Sequence, residues 1–165
     1  MNTRDTLWAP WRLEYVADED KPDEQPECFL CQAVLDESND RKRLVVRRTD
    51  LTVTLLNRFP YNNGHLLVAP RCHFGKLAEL TEAEKLELVQ EIDRWTEILT
   101  REMLPDGFNI GLNLGASAGA GIPGHLHWHI VPRWSGDTNF MPTIASAKVI
   151  PQALESLWEK LIARS

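Results

Sequence analysis

The sequence predicts an α+β domain in which an antiparallel sheet of five strands packs against one long helix and a C-terminal helix. Two patterns and one absence support this prediction. Short strand-like segments follow one another in hairpin-like succession, and a stretch near the middle of the chain carries apolar residues at helical spacing. No internal repeat is visible in the 165 residues, a length that suits one domain with a well-filled core. Strands arranged in this way around one helix are typical of the α+β class.

We expect residues 1–165 to form this single domain in three parts. Residues 1–27 would be an N-terminal arm and acidic loop, 28–142 the core, and 143–165 a C-terminal helical segment. The arm is rich in large aromatic residues between Leu7 and Val16, which predicts packing over the body of its own or a neighbouring subunit.

The strands are predicted from apolar alternation and β-branched content bounded by turn residues. They are Leu44–Arg48, Leu51–Leu56, His65–Ala69, Phe108–Leu114 and the histidine-rich His125–His129. Cys28–Leu35 is a short apolar stretch that suits one helical segment.

The long helix is predicted to begin after Thr81, because Glu84 three residues later completes a capping box. Its apolar stripe comprises Leu88, Ile92, Trp95, Leu99 and Met103. The residues Leu104–Gly107 are expected to end it. A last amphipathic helix is predicted over Gln152–Ala163, with Pro151 at its start.

Composition excludes several classes of function. The net charge of −6 argues against a nucleic-acid polymer as the main partner, since such proteins usually carry a basic surface. No run of 18 apolar residues predicts a transmembrane helix, and the N-terminus lacks the regions of a signal peptide. We therefore expect a cytoplasmic protein that does not bind membranes.

Three of the five histidines stand at alternate positions, His125, His127 and His129. In an extended strand these imidazoles would share one face, while Leu126 and Trp128 face the core. Such a row either binds a metal or performs histidine chemistry. The Gly-rich segment 115–124 leads directly into it, and its successive N–H groups suit a phosphate.

A nucleophilic histidine is the interpretation that this context favours. A neutral imidazole attacks phosphorus when its second nitrogen is held by a hydrogen-bond acceptor. The middle histidine, His127, is flanked on the same face by the other two. That arrangement suits phosphoryl or nucleotidyl transfer, in which positioning and charge stabilisation do most of the work.

Cys28 and Cys31 have the spacing of two zinc ligands, and a closed tetrahedral site needs two more. The sequence offers His73 and His125 for them. A redox role for the CxxC pair is the alternative, but no βαβ context surrounds it. Cys72 is expected to be a free thiol.

The histidine-rich segment, His-Leu-His-Trp-His-Ile-Val-Pro-Arg, resembles the signature of the histidine triad (HIT) superfamily, and residues 57–70 and the glycine loop resemble its other motifs. The N-terminal Trp-Ala-Pro-Trp-Arg, the CxxC and the segment 132–141 resemble a bacterial branch that includes diadenosine tetraphosphate (Ap4A) phosphorylases. The similarity spans about residues 8 to 142.

The resemblance implies a HIT-like fold and a role for each matching residue. His127 would be the nucleophile, His129 would contact the α-phosphate region, and His65 would support the site from the neighbouring strand. Asn57 would bind the ribose. The phosphate-binding residues would be Asn113, Gly119, Ala120, Gly121 and Ile122. Relatives with a CxxC bind structural zinc, which here would be held by Cys28, Cys31, His73 and His125.

The implied function is a nucleotidyl transferase or hydrolase that cleaves dinucleoside polyphosphates through a nucleotidyl-histidine intermediate. Many hydrolytic members carry a glutamine just before the triad, whereas this chain has Gly119–Ile122 there. The departure is compatible with phosphate rather than water as the acceptor. An adenosine phosphoramidase and a zinc-stabilised nucleotide-binding module with little turnover are the alternatives. The resemblance also implies a symmetric homodimer that joins two sheets.

Overall fold

A computed structural model of the chain describes residues 28–137, 150 and 152–165. The expected N-terminal arm and acidic loop, the segment 138–149 and Pro151 lie outside the described residues. The boundaries of the expected single domain therefore stay predictions. No helix within the described ranges has both the length and the apolar character needed to cross a lipid bilayer.

The described residues form a five-stranded antiparallel sheet, which confirms the predicted fold class. The strands are β1 (Val45–Arg48), β2 (Thr52–Leu56), β3 (Leu66–Pro70), β4 (Gly107–Leu112) and β5 (Trp128–Arg133). Their order in space is β1-β2-β3-β5-β4, and every neighbouring pair is antiparallel. The last strand in sequence is thus inserted between β3 and β4, so that its residues have a hydrogen-bonded neighbour on both sides.

The α-helices are α1 (Phe29–Leu35), α2 (Asp40–Arg43), α3 (Glu82–Met103) and α4 (Leu154–Ile162). The start of α3 confirms the predicted capping box: Thr81 accepts from the N–H of Glu84, and the Glu84 carboxylate accepts from the N–H of Thr81. Leu104 ends the helix in a left-handed conformation, with φ of 49°. The last helix begins at Leu154 rather than at Gln152, because Ala153 is still extended.

One face of the sheet is buried under α3 and α4. The predicted stripe on α3 supplies Leu88, Trp95 and Leu99 to this core, and α4 supplies Leu157 and Leu161. Leu126 and Ile130 also lie in this core and Trp128 packs against it, as the alternation predicts.

The opposite face of the sheet has a second, smaller core beneath α1. Leu30 and Ala33 of α1 cluster there with Val53, Leu55 and Leu67. His129 belongs to the same face, because it alternates with Trp128 and Ile130 and stands opposite Leu67 in the register of β5 against β3. His129 therefore lies on the α1 side of the sheet.

The predicted strand His125–His129 is wrong in its start, since β5 begins only at Trp128. The N–H of Leu126 donates to the carbonyl of Phe74 over 2.7 Å, so this backbone is bonded to an irregular loop rather than to a sheet neighbour. His125, His127 and His129 therefore do not form a row of three equivalent imidazoles on one strand face. Only His129 is a strand residue, and His125 and His127 precede it.

The strand β4 lies at the edge of the sheet and ends at Leu112, two residues earlier than predicted. Its alternation is only partly reflected in burial, because Phe108 and Leu112 pack against the core beneath α3. Ile110, which belongs to the same apolar set, is 47% exposed, and Leu114 beyond the strand end is 48% exposed. Two apolar side chains therefore remain exposed at this edge.

Candidate functional site

His65 and His129 are joined by a direct hydrogen bond between neighbouring strands. Nε2 of His65 lies 2.9 Å from Nδ1 of His129. His65 is completely buried immediately before β3, and His129 stands in β5 opposite Leu67 of β3. The antiparallel pairing of these two strands thus brings the predicted supporting histidine to the triad.

The tautomer of His65 follows from its other nitrogen. Nδ1 of His65 accepts the backbone N–H of Tyr61 over 3.0 Å, and a backbone N–H can only donate. Asn57 adds a second donor, its Nδ2, at 3.3 Å. The orientation of the Asn57 amide is consistent with this role, since its Oδ1 accepts the N–H of Phe59 over 2.9 Å. A neutral His65 therefore carries its proton on Nε2 and donates it to Nδ1 of His129.

His129 consequently carries its own proton on Nε2 when it is neutral. Its Nδ1 is the acceptor of the His65 bond, so only Nε2 remains for the proton. His129 is therefore a hydrogen-bond donor through Nε2.

His127 has the opposite tautomer. Its Nδ1 lies 2.8 Å from the backbone carbonyl of His125, and a carbonyl can only accept. The proton therefore resides on Nδ1, and Nε2 carries the lone pair. Burial lowers the pKa of His127, although the bond to the carbonyl opposes the shift. The imidazole is thus neutral at pH 7, as a nucleophile must be.

The rings of His127 and His129 are neighbours, with centroids 5.1 Å apart in an edge-on arrangement. His127 offers a lone pair at Nε2, and His129 offers a proton at Nε2. A nucleophile beside a donor is the combination that attack on a phosphoryl centre requires, because the donor stabilises charge on the phosphate or on the leaving group.

The glycine loop is built around a 3-10 turn, Ala116–Ala118, between Gly115 and Gly119, both of which have positive φ. Two of the four predicted phosphate-binding N–H groups are engaged inside the loop. The N–H of Gly119 donates to Ala116 over 2.8 Å, and that of Ala120 donates to Gly115 over 3.4 Å. The N–H groups of Gly121 and Ile122 donate to nothing in the described part of the chain. These two are the better candidates for an anion.

The side chain of Asn113 contacts the glycine loop. Its Nδ2 donates to the carbonyl of Gly119 over 3.4 Å. The contact connects the end of β4 to the glycine loop. The expected phosphate contact of Asn113 stays a prediction, as does the ribose contact of Asn57.

The four predicted metal ligands form a second cluster next to the first. Sγ of Cys28 and Cys31 and Nδ1 of His125 and His73 supply ligand atoms that all lie within 4.8 Å of one another. Nδ1 of His125 lies 3.2 Å from Sγ of Cys28 and 3.5 Å from Sγ of Cys31, and Nδ1 of His73 lies 3.1 Å from Sγ of Cys31. Ligand atoms of a tetrahedral zinc are about 3.3–3.8 Å apart, given the bond lengths of zinc to nitrogen and sulfur.

The protonation of this cluster also suits a metal. Nε2 of His125 donates to the carbonyl of Pro70 over 2.8 Å, which leaves the lone pair on Nδ1, the nitrogen beside the thiols. Burial, followed by the neighbouring Cys28 thiol, raises the pKa of Cys31 to about 11. A divalent cation would reverse that effect, because it stabilises thiolates.

Gly124 allows His73 to reach this cluster. A Cβ atom built on Gly124 would lie 3.0 Å from Nε2 of His73, closer than nearly all real contacts of that kind. A Cβ atom built on Gly75 would likewise lie 3.2 Å from the carbonyl oxygen of Pro123, one residue before Gly124. The end of the glycine-rich segment therefore packs directly against the loop that carries His73. The sequence pattern assigns the glycine-rich segment 115–124 to phosphate binding alone.

Tyr61 is the site residue that sequence reasoning missed. Its ring stacks on His129 with a centroid distance of 5.7 Å and an interplanar angle of 23°, and it lies 4.7 Å from the ring of His65. The available signal was its position in the loop between Asn57 and His65. That loop was matched as a motif, but no role was assigned to its aromatic residue.

Comparison with known proteins places these features in a family. The HIT domain matches residues 38–136. A protein of Mycobacterium tuberculosis named AP-4-A phosphorylase is 41% identical over 151 residues, which cover 90% of this chain and 77% of that protein. The asymmetrical bis(5'-nucleosyl)-tetraphosphatase of Schizosaccharomyces pombe is 32% identical over 93 residues, 56% of this chain and 50% of that protein.

A solved structure agrees with this relationship. The crystal structure of a Zn-bound histidine triad family protein from Mycobacterium smegmatis superposes with a TM-score of 0.64 at 25% identity, covering 84% of this chain and 94% of that one. The five-stranded antiparallel sheet and the histidine cluster are consistent with the match to the HIT domain. The chain belongs to the HIT family.

Proposed function

We propose that this protein is an enzyme that cleaves dinucleoside polyphosphates such as Ap4A and transfers a nucleotidyl group through His127. The observation that carries the proposal is the pair of opposite tautomers, a lone pair on Nε2 of His127 beside a proton on Nε2 of His129. Similarity to the AP-4-A phosphorylase of M. tuberculosis supports the substrate class.

The first step is attack of Nε2 of His127 on the α-phosphorus. A P–N bond forms, the P–O bond to the polyphosphate bridge breaks, and the distal nucleotide leaves with the bonding electron pair. His127 thereby becomes a nucleotidyl-imidazolium. The carbonyl of His125 stabilises its positive charge through the Nδ1–H bond of 2.8 Å. The Nε2–H of His129 donates to an oxygen of the phosphate or of the leaving group.

The second step restores the enzyme. An acceptor oxygen attacks phosphorus, the P–N bond breaks, and its electron pair returns to Nε2 of His127. Inorganic phosphate as acceptor gives ADP, so that Ap4A yields ATP and ADP. Water as acceptor gives AMP instead. The glycine loop, which lacks a side-chain amide at Gly119–Ile122, supports phosphate as the acceptor.

The four-residue cluster suits a structural zinc ion. Cys28, Cys31, His73 and His125 are the donor set of a closed tetrahedral site, and no position would be left for substrate. Bound zinc would supply no chemistry at phosphorus and would act as a crosslink. It would tie α1 and the loop of His73 to the residue whose carbonyl holds His127.

We further propose a homodimer in the cytoplasm. The exposed apolar side chains of Ile110 in the edge strand β4 and of Leu114 just beyond it support pairing of two sheets. None of the three cysteines forms a disulfide, and Cys28 and Cys31 are positioned as metal ligands, which supports a reducing compartment.

Incubation with Ap4A in the presence and absence of inorganic phosphate tests the catalytic proposal. ATP plus ADP, formed only with phosphate, is the expected result. ATP plus AMP without phosphate would make the enzyme a hydrolase. If Ap4A remains intact, the proposal fails. Cleavage of an adenosine phosphoramidate in that case would identify a phosphoramidase, and nucleotide binding without products would identify a binding module.

A further inference from the structure

Tyr61 contacts both members of the hydrogen-bonded pair His65 and His129. Its backbone N–H reaches Nδ1 of His65 over 3.0 Å, and its ring covers His129 in a stacked arrangement at 5.7 Å. These contacts come from different parts of the residue. The backbone acts on the proton position of His65, and the ring acts on the plane of His129.

We infer that Tyr61 is a positioning residue, which keeps the donor nitrogen of His129 in place through His65 and through its own ring. An imidazole that is held only at Nδ1 can turn about its Cβ–Cγ bond, which breaks that hydrogen bond, unless packing against its faces opposes the turn. The faces and edges of His129 contact three rings: Tyr61 in a stacked pair, His65 in a tilted pair and His127 edge-on. Tyr61 is the outermost of these three, since it is 44% exposed while His65 is completely buried and His127 is 6% exposed.

The loop that carries Tyr61 is itself fixed by hydrogen bonds, which keep the Tyr61 ring close to His129. The next residue, Asn62, is buried, and its Nδ2 donates to the carbonyl of Pro132 over 3.0 Å and to the carboxylate of Asp137 over 2.8 Å. Pro132 lies near the C-terminal end of β5, the strand of His129, and Asp137 lies four residues beyond the end of that strand. The loop and the strand are thus held at a second point beyond the histidine pair.

Loss of the Tyr61 ring should lower the rate of the reaction rather than the affinity for the substrate. A donor that loses its orientation no longer meets the oxygen on which charge develops, and displacement of a catalytic group by about 1 Å costs up to about 100-fold in rate. A positioning residue with no direct contact to substrate leaves binding largely unchanged. This inference rests on the proposed role of His129 as a donor in the reaction.

Tyr61→Leu removes the aromatic face and keeps the backbone N–H. We expect kcat for Ap4A cleavage to fall about 10- to 100-fold, with KM close to the wild-type value. Tyr61→Phe keeps the ring and should recover most of the rate that Tyr61→Leu loses. Phe59→Leu is the matched control, because Phe59 is an exposed aromatic residue two positions earlier in the same loop. Thermal unfolding of all variants checks that each is folded.

Nitrogen-15 NMR of the histidine side chains gives a readout that needs no substrate. The wild type should show His129 as a single Nε2–H tautomer, and Tyr61→Leu should move its shifts toward the average of two tautomers. Unchanged shifts in Tyr61→Leu would overturn the inference, whatever happens to the rate. A rise in KM at constant kcat would also overturn it, because the ring would then bind substrate. If the wild type cleaves no Ap4A, the proposed function fails, and the NMR comparison still decides the role of Tyr61.

Discussion

His127 donates its Nδ1–H to the backbone carbonyl of His125 over 2.8 Å, and the side chain of that same His125 belongs to the cluster of four metal-ligating residues. One residue therefore serves two sites, through its backbone in one and through its imidazole in the other. The imidazole is completely buried and is also fixed at Nε2 by the carbonyl of Pro70. A change in the ligand cluster that moves His125 therefore also moves the carbonyl that orients the ring of His127.

Loss of a metal ligand should therefore reduce activity without any change to the nucleophile. We expect Cys28→Ser to lose bound zinc, to unfold at a lower temperature, and to lose about 10- to 100-fold in kcat. Metal analysis, thermal unfolding and Ap4A kinetics measure the three effects. Cys72→Ser is the matched control, because Cys72 is exposed and stands outside the cluster. Metal-free wild-type protein with full activity would contradict the prediction.

Gly124→Ala should weaken metal binding by a different route. The added Cβ would meet Nε2 of His73 at 3.0 Å, so His73 must shift away while both cysteines stay unchanged. We expect about 10-fold weaker zinc binding, measured by competition with a chelator. Gly107→Ala should bind zinc as the wild type does, since a Cβ there meets nothing within 4 Å. Equal affinity in the two variants would show that the close approach has no consequence.

Substitution of His127 and substitution of His129 should affect formation of the nucleotidyl-enzyme adduct differently. His127→Ala should form no nucleotidyl-enzyme adduct, because the attacking nitrogen is absent. His129→Ala should still form the adduct, but about 10²- to 10⁴-fold more slowly, the usual contribution of a proton donor. Intact-mass spectrometry after mixing with Ap4A separates these outcomes. An adduct in His127→Ala would assign the nucleophile elsewhere.

The sequence was sufficient for the fold because its patterns are local. The capping box of Thr81 and Glu84, the stripe on α3 and the strand segments each depend on residues within one element, and the structure has each of them. Cys28 and Cys31 were also accessible, since the CxxC spacing marks them as metal ligands. His73 and His125 are distant in sequence from this pair, and the resemblance to the HIT family indicated them as the remaining ligands.

The features that could not be predicted depend on contacts between distant segments. Alternation placed His125 in a strand, but the bond from Leu126 to Phe74 withdraws that backbone from the sheet. The tautomer of His129 depends on Tyr61, 68 positions earlier in the chain, by way of His65. No local pattern encodes such a hydrogen-bond chain. It exists only because β3 and β5 are neighbours.

The capping box makes one part of the stability dependent on pH. Hydrogen bonds from the N–H and the hydroxyl of Thr81 lower the pKa of Glu84 below its unfolded value of about 4.3. The stabilisation is therefore present above that unfolded pKa and is lost as the pH falls through the lower, folded pKa. Glu84→Gln should be less stable than the wild type at pH 7, and the difference should shrink under acid conditions. Urea unfolding at several pH values measures this, with Glu82→Gln, exposed in the same helical turn, as the control. A constant difference across pH would contradict the prediction.

The position of β4 at the edge of the sheet and its exposed Ile110 predict the assembly of the protein. A strand at a sheet edge with unpaired backbone groups and exposed apolar side chains favours pairing with a second copy, and Ile110 lies in the middle of that edge with 47% of its surface exposed. A charged side chain at that position would be buried without a partner on pairing. We therefore expect the wild type to have the mass of a dimer by light scattering and Ile110→Glu to have the mass of a monomer. Leu86→Glu, which places the same charge at a 60% exposed position on α3, should remain dimeric. A monomeric wild type would refute the dimer, and a dimeric Ile110→Glu would locate the interface away from β4.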